Sequence, residues 1–391
     1  MKYITKTIWI LSLVSLFTDM SSEMLYPILP IYLKSIGFSI VLIGVFEGFA
    51  EAITGISKGY FGKWSDQSGK RVPFIQAGYG MSGIARPLLV LIANPFWVFL
   101  MRSLDRLGKG VRTAARDALL SDETTRSNKA KVFGFHRALD TFGAVLGPGI
   151  ALIYLHYYPY DYKNLFLIAF FPGLLAILTS GLIKESKLTI KETTTKGFKL
   201  SSLMSFWKNS SSNYKKLVFG LVAFSLINSS DVFLLLKAKD YGVNDTYVIG
   251  LFMFYNLVYA FFSFPMGALA DRIGLKTIFL CGLAIFAFTY FGMALFKGTS
   301  LLIFLFFIYG IYSAATEGIA KAWISNVTKK EHTATAIGTF TSLQSIATLV
   351  SSSAAGLIWY HLGANTLFIY TGIGTTLVFL YFLWRVPYQI I

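Results

Sequence analysis

The chain has 391 residues, of which 55% are hydrophobic and only 14% are charged, and its formal net charge is +16. This composition excludes an ordinary soluble globular protein, in which about a quarter of the residues are charged. The single cysteine, Cys281, excludes intramolecular disulfides and metal sites built from paired cysteines.

Apolar runs of about twenty residues, the length that crosses a bilayer as a helix, recur along the whole chain. They predict an all-α, polytopic membrane protein of about twelve transmembrane helices. The predicted helices cover residues 7–36, 39–62, 73–93, 95–118, 129–156, 163–184, 215–238, 245–267, 276–297, 300–326, 333–360 and 364–386. The first of them is too long and too polar at its centre to be a cleaved signal peptide.

Basic residues are concentrated in alternate connections between the predicted helices. An even number of spans puts both termini on one side, and the positive-inside rule makes that side the cytoplasm. The net positive charge therefore orients the chain in a membrane, and nucleic acid is not expected as a partner.

The one long polar connection, residues 185–214, divides the chain into two predicted six-helix bundles. We expect an N-terminal bundle over 1–184, a cytoplasmic linker over 185–214 and a C-terminal bundle over 215–391. In the linker, Leu200, Leu203, Met204 and Trp207 have helical spacing, which suits a short helix on the inner leaflet. A disordered linker fits the same residues equally well.

A short polar pattern occurs once in each half, in residues 62–71 and 267–276. Each copy has a glycine, an aspartate four residues later, a second glycine three residues after that, and then a basic residue. Glycine permits a tight turn, and an acid in such a loop can accept hydrogen bonds from the start of a neighbouring helix. The halves also share a second pattern, because Ser21-Ser22-Glu23 is echoed by Ser229-Ser230-Asp231.

The repeated loop resembles the signature loop between the second and third helices of the major facilitator superfamily. The resemblance implies two six-helix halves that alternate the access to a site near the membrane midplane. It also implies that the acid of the first loop contacts the start of the predicted eleventh helix, and that the loop's basic end pairs with Asp117 or Asp122. The gating residues it implies in the two loops are Gly62, Asp66, Gly69, Arg71, Asp271 and Gly274.

The fifth predicted helix contains Gly143, Gly147 and Pro148, which we add to the gating residues because small residues let helices approach closely and the Gly-Pro step bends a helix. These residues resemble the fifth-helix motif of the superfamily's proton antiporters. The final positions of that motif are Ala151 and Leu152 here, so the match is incomplete. The resemblance implies proton-coupled export across a bacterial inner membrane.

Ionisable residues within predicted spans normally line an aqueous cavity or pair with one another. We select Asp19, Glu23 and Asp140 as candidate proton-coupling residues. The fourth helix carries a basic stripe, in which Arg112 and Arg116 are expected near the inner interface. The candidate substrate-binding residues are Arg102, Arg106 and Lys109 in the first half and Tyr255, Asn256 and Tyr259 in the second. Internal salt bridges are the alternative role for the charged groups.

Three functions are compared. The first is proton-coupled export of a small organic molecule, for which an anion is one candidate class. The second is proton-symport uptake of an organic anion or sugar-like nutrient. The third, a polytopic membrane enzyme, lacks a clustered catalytic set, so no catalytic residue, metal ligand or cofactor is predicted. The expected partners are a small-molecule substrate, protons and membrane lipids, and the chain is expected to be a monomer.

Overall fold

The computed structural model describes residues 4–26, 29, 32, 33, 37, 40–92, 94–185, 206–228, 231–242, 245–295 and 298–387. Within these ranges the chain is almost entirely helical and contains no β-strand. A helix satisfies its own backbone hydrogen bonds, which the interior of a bilayer requires. The predicted all-α fold class is confirmed.

Most helices of the described part follow the predicted spans closely, but the first ends at Leu25, whereas the prediction continued to residue 36. Before the central segment lie α1 (Lys6–Leu25), α2 (Ile40–Ser68), α3 (Val72–Leu89), α4 (Pro95–Asp122), α5 (Lys129–Tyr157) and α6 (Tyr162–Ser180). After it lie α7 (Ser212–Ile227), α8 (Val232–Asp240), α9 (Asp245–Ile273), α10 (Leu275–Leu295), α11 (Thr299–Val327), a 3₁₀ turn (Lys330–His332), α12 (Thr333–Leu362) and α13 (Ala364–Arg385). Side chains cap several starts; Asn94, for example, accepts from the backbone N–H of Phe96 at 2.9 Å.

The predicted helix over 215–238 is wrong in one respect, because the structure divides it into α7 and α8. Asn228 ends α7 in an extended conformation, with φ −72° and ψ 104°. Short polar side chains such as Asn and Asp compete with helical backbone hydrogen bonding, which explains why α7 ends before Asn228 and α8 begins after Asp231. Leu200, Leu203 and Met204 of the predicted surface helix lie outside the described residues.

The chain divides into two compact units. Unit 1 comprises Met1–Thr124, Leu139–Asn209 and Lys329–Ser342, and unit 2 comprises Thr125–Ala138, Ser210–Thr328 and Leu343–Ile391. In unit 1, α4 packs on α2 and α3, while α6 packs on α1 and α3; in unit 2, α11 packs on α9 and α10, while α13 packs on α7 and α10. The bundle boundaries expected at 184 and 215 stay a prediction, because 186–205 lie outside the described residues.

In the described part, seven helices are long and apolar enough to cross a membrane: α1, α5, α6, α10, α13 and most of α9 and α11. Helix α4, with 28 residues, is also long enough to cross a membrane, but its charged side chains make it more polar than these seven helices. The charges that set α4 apart are therefore the starting point for the functional site.

Candidate functional site

A cluster of ionisable side chains joins α1, α4 and α5 within unit 1. Asp19 and Glu23 lie one turn apart on α1, and both are half-buried. Asp140 and Lys109 act electrostatically on both acids, and Arg106 acts on Glu23. The structure therefore brings together the three predicted proton-coupling acids and two of the predicted substrate-binding cations.

Asp140 is held in this cluster by a serine on α1. The hydroxyl of Ser15 donates to Asp140 Oδ1. Ser15 Oγ in turn accepts a hydrogen bond of 3.1 Å from Arg116 Nη1. A carboxylate oriented by a hydroxyl, which is itself oriented by a guanidinium, has a defined position relative to the acids of α1.

Arg86 on α3 and Arg102 on α4 share one acid, Asp105. Arg86 Nε lies 3.3 Å from Asp105 Oδ1, and Arg102 Nη1 lies 3.6 Å from Asp105 Oδ2. Arg106 is buried and Lys109 is exposed. One carboxylate between Arg86 and Arg102 leaves these three side chains with a net charge of +1.

Arg112 and Arg116 are buried within unit 1, with exposed fractions of only 4% and 7%, and their expected position near the inner membrane interface stays a prediction. Arg112 Nη1 donates to Ser82 Oγ at 2.9 Å. Arg116 Nη2 lies 2.9 Å from Asp117 Oδ1. Buried cations need such partners, so this part of the stripe is structural.

A small cavity in unit 1 lies beside Arg86 and Arg102. Its polar lining consists of Ser22, Arg86, Arg102 and Asp105, and α1 and α3 supply apolar walls. Its volume of about 20 Å³ has room for one or two water molecules. Arg102 therefore borders a space large enough for a water molecule.

Two of the three candidates in the second half engage charged groups in unit 2. The hydroxyl of Tyr255 donates to Asp231 at 2.6 Å, and Tyr259 accepts from Arg137 Nε. Arg137 also lies 3.4 Å from Glu317, and the side chains of this ion pair are 30% and 45% exposed. This pair joins helices that are distant in sequence, so sequence reasoning missed it.

Asn256, by contrast, bonds to its own helix. Its Nδ2 donates to the carbonyl of Phe252, one turn earlier on α9, at 2.9 Å. Nothing in that contact points to a ligand, and its predicted role in substrate binding stays a prediction.

The first signature loop has the expected contacts within unit 1. Asp66 accepts from the backbone N–H groups of Ala334 and Thr335, at 3.3 and 2.6 Å, at the start of α12. Arg71 pairs with Asp66, and its Nε lies 3.4 Å from Asp122 Oδ2. Both expected contacts are therefore confirmed, with Asp122 as the acid that closes α4.

The second signature loop repeats this arrangement within unit 2. Asp271 accepts from the backbone N–H groups of Ala130 and Lys131, at 3.0 and 2.8 Å, at the start of α5. Gly69 and Gly274, the second glycines of the two loops, have φ angles of +65° and +101°. Glycine adopts such angles without strain, which explains its place in both copies.

Glycines also permit close helix contacts at the predicted gating positions. A Cβ on Gly147 would lie 2.5 Å from the carbonyl oxygen of Met20, and one on Gly143 would collide with the carbonyl of Leu16. Both glycines therefore set how closely α5 approaches α1 inside unit 1.

Replacing Gly62 by alanine is expected to destabilise the protein by about 1–3 kcal/mol, because overpacking at backbone forces a local shift. The new Cβ would lie 2.6 Å from the carbonyl oxygen of Ala334 and 2.9 Å from the Cβ of Ala114. The measurement is the thermal unfolding midpoint of the purified protein in detergent. Gly80→Ala is the matched control, because a Cβ there meets nothing within 4 Å. Equal midpoints for the two variants would contradict the close approach at Gly62.

Comparisons with known proteins agree with this geometry. The model of the Major Facilitator Superfamily matches residues 11–253 and 217–390. An uncharacterized MFS-type transporter of Methanocaldococcus jannaschii is 33% identical over 362 residues, which cover 91% of this chain and 89% of that protein. A multi-drug resistance efflux pump PmrA homolog of Lactococcus lactis is 24% identical over 329 residues, which cover 81% of this chain and 78% of that protein.

A solved structure shares the fold. The crystal structure of the human organic anion transporter MFSD10 matches with a TM-score of 0.81 and 16% identity, covering 96% of this chain and 98% of that one. The family model matches nearly the whole sequence, and the two signature loops make equivalent contacts. This chain is therefore a member of the Major Facilitator Superfamily, a family of membrane transporters.

Proposed function

We propose that this transporter exports a small organic molecule that carries an anionic group, in exchange for protons, across a bacterial inner membrane. Both termini lie in the cytoplasm in this proposal, as the distribution of basic residues favours. Asp19, Glu23 and Asp140 take up and release the coupling proton. Arg106 binds the anionic group, and Arg102 and Lys109 assist.

The observation that carries the proposal is the composition of the cluster in unit 1. Three acids and the cations Arg106 and Lys109 act on one another across α1, α4 and α5. Because these acids and cations act on one another, a change in the protonation of an acid changes the affinity of the cations for an anionic group. Proton binding and anion binding are then linked, and linkage of this kind is what coupled transport requires.

The direction of transport is supported by sequence. The efflux pump homolog of Lactococcus lactis aligns with most of this chain. The glycines of α5, which resemble the proton-antiporter motif, pack against the helix that carries Asp19 and Glu23. Export is therefore favoured over uptake.

The test is flux in proteoliposomes under an imposed pH gradient. Purified protein is reconstituted, and a panel of labelled carboxylates, phosphate esters and cationic drugs is screened for movement against the proton gradient. The expected result is exchange of an anionic compound for protons, with the compound recovered unchanged. Movement in the same direction as the protons would overturn export in favour of uptake, and a chemically altered compound would indicate an enzyme.

Neutralising the coupling acid is expected to abolish gradient-driven flux and to leave exchange of the compound in the absence of a gradient. Asp19→Asn and Glu23→Gln are each compared with the wild type, because these acids lie one turn apart in the same cluster. The measurement is the ratio of gradient-driven flux to exchange. If both variants keep full gradient-driven flux, coupling does not reside on α1, and Asp140→Asn is the next variant.

A further inference from the structure

A half-buried acid, Asp231, lies in unit 2 at the break between α7 and α8. Asp231 immediately precedes Val232, the first residue of α8. Tyr255 is ten residues after Asp245, where α9 begins, and Tyr309 is ten residues after Thr299, where α11 begins. Ten helical residues correspond to about 15 Å, so both tyrosines lie well inside their helices at a similar depth.

Tyrosine hydroxyls engage both oxygens of this carboxyl group. Tyr255 donates to Asp231 Oδ2 and Tyr309 donates to Asp231 Oδ1, each at 2.6 Å. From α7, Asn228 Nδ2 donates to the hydroxyl of Tyr312 at 3.2 Å. The groups of α9 and α11 that hydrogen-bond to Asp231 are therefore neutral hydroxyls.

The charged side chain that acts on Asp231 does not neutralise the negative charge of its carboxylate. Among the residues that the structure describes, the charged side chain that acts on it is Glu317, another acid. Lys237, the nearest cation in sequence, donates to Asn365 at 2.7 Å and lies over the ring of Tyr241. The phenol of Tyr290, on α10, is a further neutral group that acts on Tyr309.

The acids of unit 1 have a different environment. Asp105 lies between Arg86 and Arg102, and Lys109 acts on both Asp19 and Glu23. A carboxylate at membrane depth is costly unless a cation pairs with it or a proton neutralises it. Asp231 has hydroxyl donors and an acid around it, so a proton is the cation that completes its site.

The packing around Asp231 favours a proton over a larger cation. The ring centroids of Tyr255 and Tyr309 are 5.4 Å apart, and those of Tyr309 and Tyr312 are 5.2 Å apart. All three tyrosines are at most 5% exposed. A proton needs no cavity, because it forms an O–H bond on an oxygen already present and a tyrosine hydroxyl can rotate to accept from it.

We propose that Asp231 is a second proton-binding residue of this transporter and that it contributes one coupled proton to each transport cycle. The proton bonds to a carboxyl oxygen of Asp231 from water on one side of the membrane and leaves to water on the other side. The position has a counterpart in the first half, since Ser229-Ser230-Asp231 echoes Ser21-Ser22-Glu23. The statement about coupling depends on the proposed function, whereas the statement about proton binding does not.

Infrared spectroscopy of the reconstituted protein tests proton binding without a substrate. A protonated carboxyl group has a carbonyl stretching band that an ionised one lacks. We expect the wild type at neutral pH to show such a band that is missing from Asp231→Asn. Tyr309→Phe is expected to move the band to higher frequency, because the carboxyl group loses a hydrogen-bonding partner.

The control is Asp240→Asn, which changes an exposed acid on the same helix, α8. The Asp240→Asn variant is expected to show the carbonyl stretching band of the wild type at full intensity. A band unchanged in Asp231→Asn would mean that Asp231 is ionised and would overturn the inference. Loss of the wild-type band on adding sodium at constant pH would also overturn it, since the site would then take a metal cation.

Proteoliposome flux tests the coupling. Without a membrane potential, each coupled proton multiplies the accumulation of the exported compound about tenfold for every pH unit of gradient. Asp231→Asn is therefore expected to lower accumulation about tenfold at a gradient of one pH unit, and Asp240→Asn is expected to leave it unchanged. Full accumulation in Asp231→Asn would overturn the coupling role. If accumulation by the wild type does not depend on the pH gradient, the proposed function is overturned. The infrared band would then still decide whether Asp231 binds a proton.

Discussion

Replacing Asp66 by asparagine is expected to slow transport on the order of tenfold while leaving the protein folded. The Asp66 carboxylate accepts from two backbone N–H groups at the start of α12 and also from Thr335 Oγ1 at 2.5 Å. Hydrogen bonds to a charged group contribute about 1.5–3 kcal/mol, and the helix dipole favours a negative charge there. Asparagine lacks the charge and one acceptor oxygen, so the start of α12 is held less firmly.

We expect this loss to shift the transporter away from outward-facing states. The measurement is the alkylation rate of a cysteine introduced at Thr339, which is buried one turn after Thr335, with Cys281 replaced because it is exposed. Asp66→Asn is expected to raise that rate. Glu331→Gln is the matched control, because it removes an exposed acid close to the same helix start. Unchanged alkylation together with unchanged transport in Asp66→Asn would refute the gating role.

Replacing Arg106 by lysine is expected to weaken substrate binding about tenfold even though the positive charge is kept. A guanidinium meets a carboxylate or phosphate through two parallel hydrogen bonds, which a lysine ammonium cannot reproduce. Arg106 is buried and acts on Glu23, so the charged end of the side chain lies within the cluster of unit 1. Arg86, Arg106 and Arg102 all act on Asp105, but Arg106 also acts on Glu23, which makes Arg106 the stronger candidate anchor.

The measurement is the rise in unfolding temperature that each compound of the screening panel produces, since a ligand stabilises the state it binds. In Arg106→Lys the anion that stabilises the wild type is expected to need about ten times the concentration for the same rise. Arg102→Ala and Arg106→Ala complete the series. Full affinity in both alanine variants, or a substrate that is a permanent cation, would refute an anionic substrate.

The sequence was sufficient to predict what depends on local pattern. Apolar runs long enough to span a bilayer predicted an all-helical membrane protein, because backbone groups in lipid must bond within the chain. The repeated loop predicted a contact from Asp66 to the start of a distant helix, and that contact is present. The second glycine of each loop, Gly69 or Gly274, has a positive φ angle, which the requirement for a tight turn led us to expect.

The remaining features depend on tertiary structure. The sequence left Asp117 and Asp122 as equal partners of Arg71, and packing selected Asp122 while Asp117 pairs with Arg116. Arg112 was recognised in the sequence as a member of the basic stripe, and packing placed its guanidinium against Ser82 of α3. Spacing along a helix shows which side chains share a face, but not which neighbouring helix that face meets.

The surroundings of Asp231 show the same limit most clearly. The sequence marked this acid through its repeat, but its hydroxyl donors come from α9 and α11, 24 and 78 residues further along the chain. Whether a buried carboxyl group meets an arginine or two tyrosines depends on how three helices rotate and pack against one another. That arrangement, and with it the charge each acid can hold inside the membrane, is decided by contacts between residues distant in sequence.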